Sequence, residues 1–224
     1  MDRARDAERL WRDAAGLWEA QPAVFDPPQA AAMPCAALRT VLSRARVSQR
    51  HRDDVDAWRT IAGSLATVGG PVRRVVDEGT GDAAELLRDL RGRNGAGRAR
   101  FPLLRGPKIA PMWIRIMANP GGARVAGVES IPVAVDVQVR RVTENLGVSA
   151  TRGLPLEEAK PAIQEAWRTA VEAGSVGGPA GITGTCAALD PALWFYGKHG
   201  CSHCERQGRR MPIGRACDHC RFEA

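Results

Sequence analysis

The chain alternates short amphipathic stretches with Gly and Pro breaks, and the apolar spacing is helical almost throughout. Residues 3–20 alternate charge with Leu10, Trp11, Leu17 and Trp18, which predicts an amphipathic helix ending at Gln21-Pro22. After the Asp26-Pro27-Pro28 turn, a helical stretch is expected from about Gln29, containing Leu38, Val41 and Leu42. Asp53–Leu65 carries Val55, Trp58, Ile61 and Ala62 on one face before Gly69-Gly70-Pro71 breaks it. Short helices are expected over Val72–Asp77 and Asp82–Leu90. Further on, Met112, Trp113, Ile116 and Met117 share a helix that opens near Gly106-Pro107-Lys108. The apolar run Ile131-Pro132-Val133-Ala134-Val135 ends at Asp136, where Val139, Val142 and Leu146 begin a further helical face. Asp136 stands at the N-cap position, where its carboxylate can accept from the first amides of that helix. A helix through Ile163, Trp167 and Val171 follows Pro155, with Pro161 in its early turns or kinking it, and a last one spans Leu189–Tyr196. Strand alternation is nearly absent and no internal repeat is visible, so the expected class is all-α.

Composition changes this picture in three ways. The 224 residues carry a net charge of +7, which favours a polyanionic partner. No 18-residue apolar run is present to span a membrane, and the acidic residues near the N-terminus argue against a targeting peptide. The expected setting is therefore cytoplasmic, associated with the nucleoid. Third, the 32 basic residues include only three lysines, Lys108, Lys160 and Lys198. Arginine stays protonated and cannot form a Schiff base, whereas a lysine amine can. A lysine kept at Lys108, in an arginine-biased chain, is a candidate nucleophile; a phosphate contact at the helix start is the plainer alternative.

Basic residues cluster in two further places. Ser43–His51 includes Gln49 and His51, and 91–100 interleaves Arg91, Arg93, Arg98 and Arg100 with glycines. Glycines admit a phosphate close to the backbone while arginines supply charge, so the second stretch reads as a flexible loop contacting nucleic acid. The chain closes on Cys201-x2-Cys204-x12-Cys217-x2-Cys220, two pairs of thiols at metal-clamping spacing. By spacing alone this is a four-cysteine, zinc-ribbon-like site; Cys35 and Cys186 read as buried helix residues. Arg206, Arg209, Arg210, Arg215 and Arg221 surround the site.

Gly106-x-Lys108-x-Ala110, a helix, and then Val135-Asp136-x-x-Val139-x-Arg141-Val142 resemble the helix-hairpin-helix DNA glycosylase superfamily, the endonuclease III group. The resemblance implies a two-domain all-α fold. Residues 30–130 would form a six-helix barrel with the hairpin. Residues 1–29 and 131–224 would form a helical domain ending in a four-cysteine metal loop, 197–224. It implies that Lys108 attacks C1′ of a flipped-out nucleotide in double-stranded DNA carrying a damaged or modified base, and that Asp136 assists departure of the base. Arg105, Gly106, Gln49, His51, Arg98 and Arg100 are then candidate DNA contacts. Cys201, Cys204, Cys217 and Cys220 become candidate ligands of a [4Fe-4S] cluster, with Zn2+ as the alternative. The expected protein is a monomer.

Three departures from the family pattern stand out. Leu104 occupies the place of the hairpin's first glycine, which would alter an amide nest for phosphate. Twenty-seven residues separate Lys108 from Asp136, a gap more like that of archaeal 8-oxoguanine glycosylases. The cysteine spacing also differs from the family's C-x6-C-x2-C-x5-C. A monofunctional glycosylase and a zinc-stapled DNA-binding protein without activity are the alternative readings.

Overall fold

The computed structural model describes residues 6–67, 69–174 and 184–206, and these are mostly helical. The chain divides into two compact units, residues 1–106 with 122–125, and residues 107–121 with 126–224. The expected barrel span 30–130 therefore runs through both units, and residues 1–29 group with the first.

In the first unit, α1 (Ala7–Ala20) starts where Asp6 accepts a hydrogen bond from Arg9 N at 2.9 Å. α2 (Pro27–Ala32) repeats the device with Asp26 and Gln29 N at 3.0 Å. The single helix expected through Leu38 is in fact two, because Met33 precedes a proline and takes an extended conformation; α3 (Cys35–Arg44) then starts afresh. Leu17, Val24, Leu38, Leu42, Val47 and Val55 form the core here, and α4 (His51–Thr67) contributes Trp58, whose indole N–H donates to Val24 O at 2.9 Å. α5 (Pro71–Glu78) and α6 (Ala83–Arg91) bury Val72, Val75, Leu86 and Leu90. Two three-residue strands, β1 (Thr80–Asp82) and β2 (Arg124–Ala126), pair beside them.

The stretch expected as a flexible basic loop is an ordered reverse turn. Asn94 O accepts from Gly97 N, and the Asn94 side chain accepts from Ala96 N and Arg98 N. Residue 93 pairs with residue 99 across it. The following turn has Leu104 N bonded to Phe101 O, with Pro102 and then Leu103 at its corners. Leu103 takes φ 70°, the conformation a type II turn reserves for glycine at its third position. The left-handed place is thus taken by Leu103, while Leu104, which stands where the family has its first hairpin glycine, takes no positive φ.

The second unit is built on α7 (Ile109–Ala118), α8 (Val137–Asn145), α9 (Leu156–Glu172) and α10 (Cys186–Phe195). Its core joins Val133, Val135, Val139, Val142, Ile163, Trp167, Cys186, Leu193 and Cys201. Trp167 satisfies its buried indole N–H on Thr143 Oγ at 2.8 Å. Pro161 is accommodated inside α9, as Pro191 is inside α10. A π-helical turn, Tyr196–Cys201, continues α10 and leads into α11 (Ser202–Arg206). Gly197 in that turn lies directly against the Gln138 backbone, where an added Cβ would overlap the carbonyl oxygen. Among the described residues, no helix is long and apolar enough to cross a membrane.

The Gly197 contact yields a clear expectation. Gly197→Ala must push apart a pair of backbones that are already in contact, so it should lower stability by about 2 kcal/mol. Urea unfolding followed by circular dichroism measures this; an unchanged midpoint would mean that the segments do not pack this way.

Candidate active site

Four charged side chains of the second unit form the site. Lys108 is the N-cap residue of α7, which is anchored by buried Ala110, Pro111 and Ile114. Asp136 caps α8: its Oδ1 accepts from Gln138 N at 2.8 Å and from Val139 N at 3.1 Å. Its other oxygen, Oδ2, lies 3.0 Å from Lys108 Nζ. The lysine side chain is 28% exposed and the aspartate 13%, so solvent reaches the amine more readily than the carboxylate. The candidate nucleophile and its carboxylate are therefore an ion pair, each at the start of a helix, where the N–H ends favour negative charge.

The segment between them is the apolar run ending at Asp136. Ile131, Val133, Ala134 and Val135 are buried, yet the run is irregular and joins no sheet. It makes one tight backbone bond, Val135 N donating to Val133 O at 3.1 Å, and side chains supply further partners. Gln164 Nε2 donates to Val133 O at 3.0 Å, and Ala134 N donates to Asp190 Oδ1 at 2.7 Å. Cys186 lies in the same core, and its thiol pKa is pushed up chiefly by burial, with the Val133 backbone opposing the rise.

Asp190 and Arg115 complete the constellation, and no local pattern in the sequence marks either. Asp190 Oδ2 lies 3.0 Å from Arg115 Nε, with side chains 7% and 16% exposed. Arg115 follows Lys108 by seven residues, two turns along one helix face. Burial pushes the Asp190 carboxyl above the ordinary aspartate range, against the Ala134 amide and Arg115, which pull it down; the nearby Asp136 charge adds to the rise. The arrangement offers an amine beside a carboxylate, with a second buried acid behind them. An amine so placed can act as a nucleophile, and the carboxylate beside it can accept a proton or face a developing positive charge.

The other candidate residues are distributed as follows. Arg105 is half-buried and Gly106 has nothing within 4 Å of an added Cβ, so the fold itself does not require glycine there. Gln49 and His51 are exposed. The backbone N–H of Gln49 donates to buried Asp54 at 2.8 Å, and His51 Nδ1 lies 2.9 Å from Ser43 Oγ. Arg98 is exposed on the 93–99 turn. Arg100 is engaged by the fold: it pairs with buried Asp89 at 2.5 Å and lies over the Phe101 ring.

Cys201 is buried in the core of the second unit and Cys204 is half-buried. Neither is in a disulfide. Their i,i+3 spacing across the start of α11 puts both on one helical face, as half of a four-thiolate set requires. Cys217 and Cys220 lie outside the described residues.

Asp190 makes stability depend on pH in a definite sense. A folded-state pKa raised above the ordinary value of 3.8 means that the native state holds this proton more tightly than the unfolded chain. Its contribution is fully present below 3.8 and is lost as pH rises through the folded value. Wild-type stability relative to Asp190→Asn should therefore decline across that window, measured by thermal unfolding from acid to neutral pH. A constant difference would remove the linkage.

Comparison with protein-family models, curated proteins and solved structures finds no match, so the chemistry of the site rests on these residues themselves.

Proposed function

We propose that the chain is a DNA glycosylase with abasic-site lyase activity, acting on a damaged or modified base in double-stranded DNA. The observation that carries this reading is the 3.0 Å pairing of Lys108 Nζ with Asp136 Oδ2 at the starts of α7 and α8. The candidate nucleophile and the candidate carboxylate, 28 positions apart in number, meet within hydrogen-bond distance.

In this reading the target base is extruded from the duplex, which costs least where the base is already poorly paired or damaged. Lys108 passes a proton to Asp136 and its lone pair attacks C1′. The glycosidic bond breaks, and the base leaves with the bonding electrons and takes up a proton. Asp136, having given its proton on, faces the positive charge that develops on the sugar. The Lys108–C1′ adduct opens to an iminium. Loss of a C2′ proton then expels the 3′ phosphate by β-elimination. Hydrolysis of the remaining imine returns the lysine.

Arg105, Gly106, Arg98, Gln49 and His51 are the DNA contacts of this reading. Arg100 is left out of that set because Asp89 already takes its charge. The net charge of +7 supports a polyanionic substrate, and each phosphate contact would add salt-sensitive affinity. Cys201, Cys204, Cys217 and Cys220 would hold a [4Fe-4S] cluster or a zinc ion. The bound metal would supply a structural staple and no redox step.

Borohydride trapping on duplexes bearing an abasic site and a panel of modified bases tests the central claim. A covalent protein–DNA band that disappears in Lys108→Gln is expected, with Asp136→Asn slowing base release by at least about a hundredfold. Absence of trapping on every duplex would sink the lyase assignment.

A second variant separates binding from folding. Gly106→Ala should leave unfolding unchanged within about 0.5 kcal/mol, because its surroundings are open. Its affinity for an abasic duplex, read by fluorescence anisotropy, should fall if phosphate approaches the backbone there. Unchanged affinity would take Gly106 out of the interface.

A further inference from the structure

Lys108 and Asp136 belong to different elements, and something must set the distance between them. Lys108 rides on α7. Asp136 ends the largely buried run 131–136. A single carboxylate grips both. Asp190 Oδ2 holds Arg115, two turns along the lysine's own helix, at 3.0 Å; Asp190 Oδ1 holds Ala134 N, two residues before Asp136, at 2.7 Å. The gripping residue sits in the middle of α10, itself fixed by buried Cys186, Ala187 and Leu193.

We propose that Asp190 is the positioning residue of the Lys108–Asp136 pair, clamping the helix that carries the amine to the segment that ends in the carboxylate. It does not touch the reacting atoms; it acts through Arg115 and Ala134. Stability alone is a poor explanation for such a pair. Burying an acid and an arginine carries a large solvation penalty, which an apolar pair of similar volume avoids. What an ion pair supplies and an apolar contact does not is a fixed register between a particular side chain and a particular amide. A displacement of about 1 Å between reacting groups costs on the order of a hundredfold in rate, so a register device at this place has a use.

The proposal rests on reading Lys108 and Asp136 as the reacting pair, but its test needs no turnover. The chain has only three lysines, so reductive methylation with 13C-formaldehyde labels Lys108, Lys160 and Lys198 beside the α-amino group, and Lys108→Gln identifies the Lys108 resonance. Lys160 pairs with Glu157 and Lys198 lies over the Trp194 ring, which keeps their environments distinct from that of Lys108. In Asp190→Asn and in Arg115→Gln, the Lys108 methyl resonance should move toward the position it takes in Asp136→Asn, while the other two stay in place. Arg115→Gln leaves Asp190 its bond to Ala134, so the test survives if the Asp190 variant does not fold. A Lys108 resonance unmoved in the folded variants overturns the clamp.

Single-turnover trapping adds a kinetic arm. Asp190→Asn should slow the chemical step at least about tenfold while abasic-duplex affinity is kept. A wild-type rate in that variant also overturns the proposal. If the wild type itself never traps, the lyase reading fails, and the resonance of Lys108 still decides whether Asp190 sets the pair.

Discussion

The second unit depends on one constraint: a largely buried run of irregular backbone, residues 131–135, with no strand beside it. Peptide groups at Val133 and Ala134 have lost water and have no sheet to replace it, and an unmet buried amide costs about 1–3 kcal/mol. Gln164 and Asp190 supply partners from α9 and α10, beside a single tight backbone bond from Val135 N to Val133 O. Because these partners are side chains on packed helices, the run is held in one position along its length. Asp136 emerges at its end already oriented, and its own cap on α8 completes the path from core to site.

The same solution recurs in the first unit. Asp89 accepts from Val72 N at 3.1 Å with one oxygen and pairs with Arg100 through the other. Asp54, fully buried, accepts from Gln49 N, Arg50 N and Ser48 Oγ ahead of α4. Buried aspartates tying a backbone amide to a second group are thus a general joint of this chain, and its arginine richness supplies counter-charges for two of them. An arginine that looks like a phosphate contact in the sequence, Arg100, is for that reason engaged inside the fold.

What is legible in the sequence follows from whether the signal is local. Asp136 is legible because an N-cap announces itself within three residues, and Lys108 because lysine is rare in this chain. The helices are legible from their periodicity, apart from the break at Pro34, which lies within one long apolar pattern. Asp190 and Arg115 are invisible because their pairing spans 75 residues, and neither carries a local mark. Matching a glycine motif marks Leu104 as a replaced hairpin glycine, but not that the neighbouring Leu103 takes the left-handed place, where Pro102 fixes the preceding corner. Gly197 looks in the sequence like no more than a lead-in to the cysteines; its need for closeness to Gln138 is a packing fact that no single-chain pattern encodes. Of the cysteine set, Cys201 and Cys204 share a helical face, a spacing that C-x2-C already suggests.

The division of labour within Asp136 bears on how such a site would work. One oxygen is committed to two amides of α8, and only the other meets Lys108. In the proposed reaction, when the lysine leaves the pair to bond carbon, the carboxylate would keep its cap and so its place. A carboxylate held by the lysine alone would be released at the moment positive charge appears on the sugar. In that reading the acid would stay put while its cation moves, which is the preorganisation that electrostatic stabilisation of a transition state demands. Lys108, more exposed and without a cap bond of its own, is the member of the pair that is able to travel.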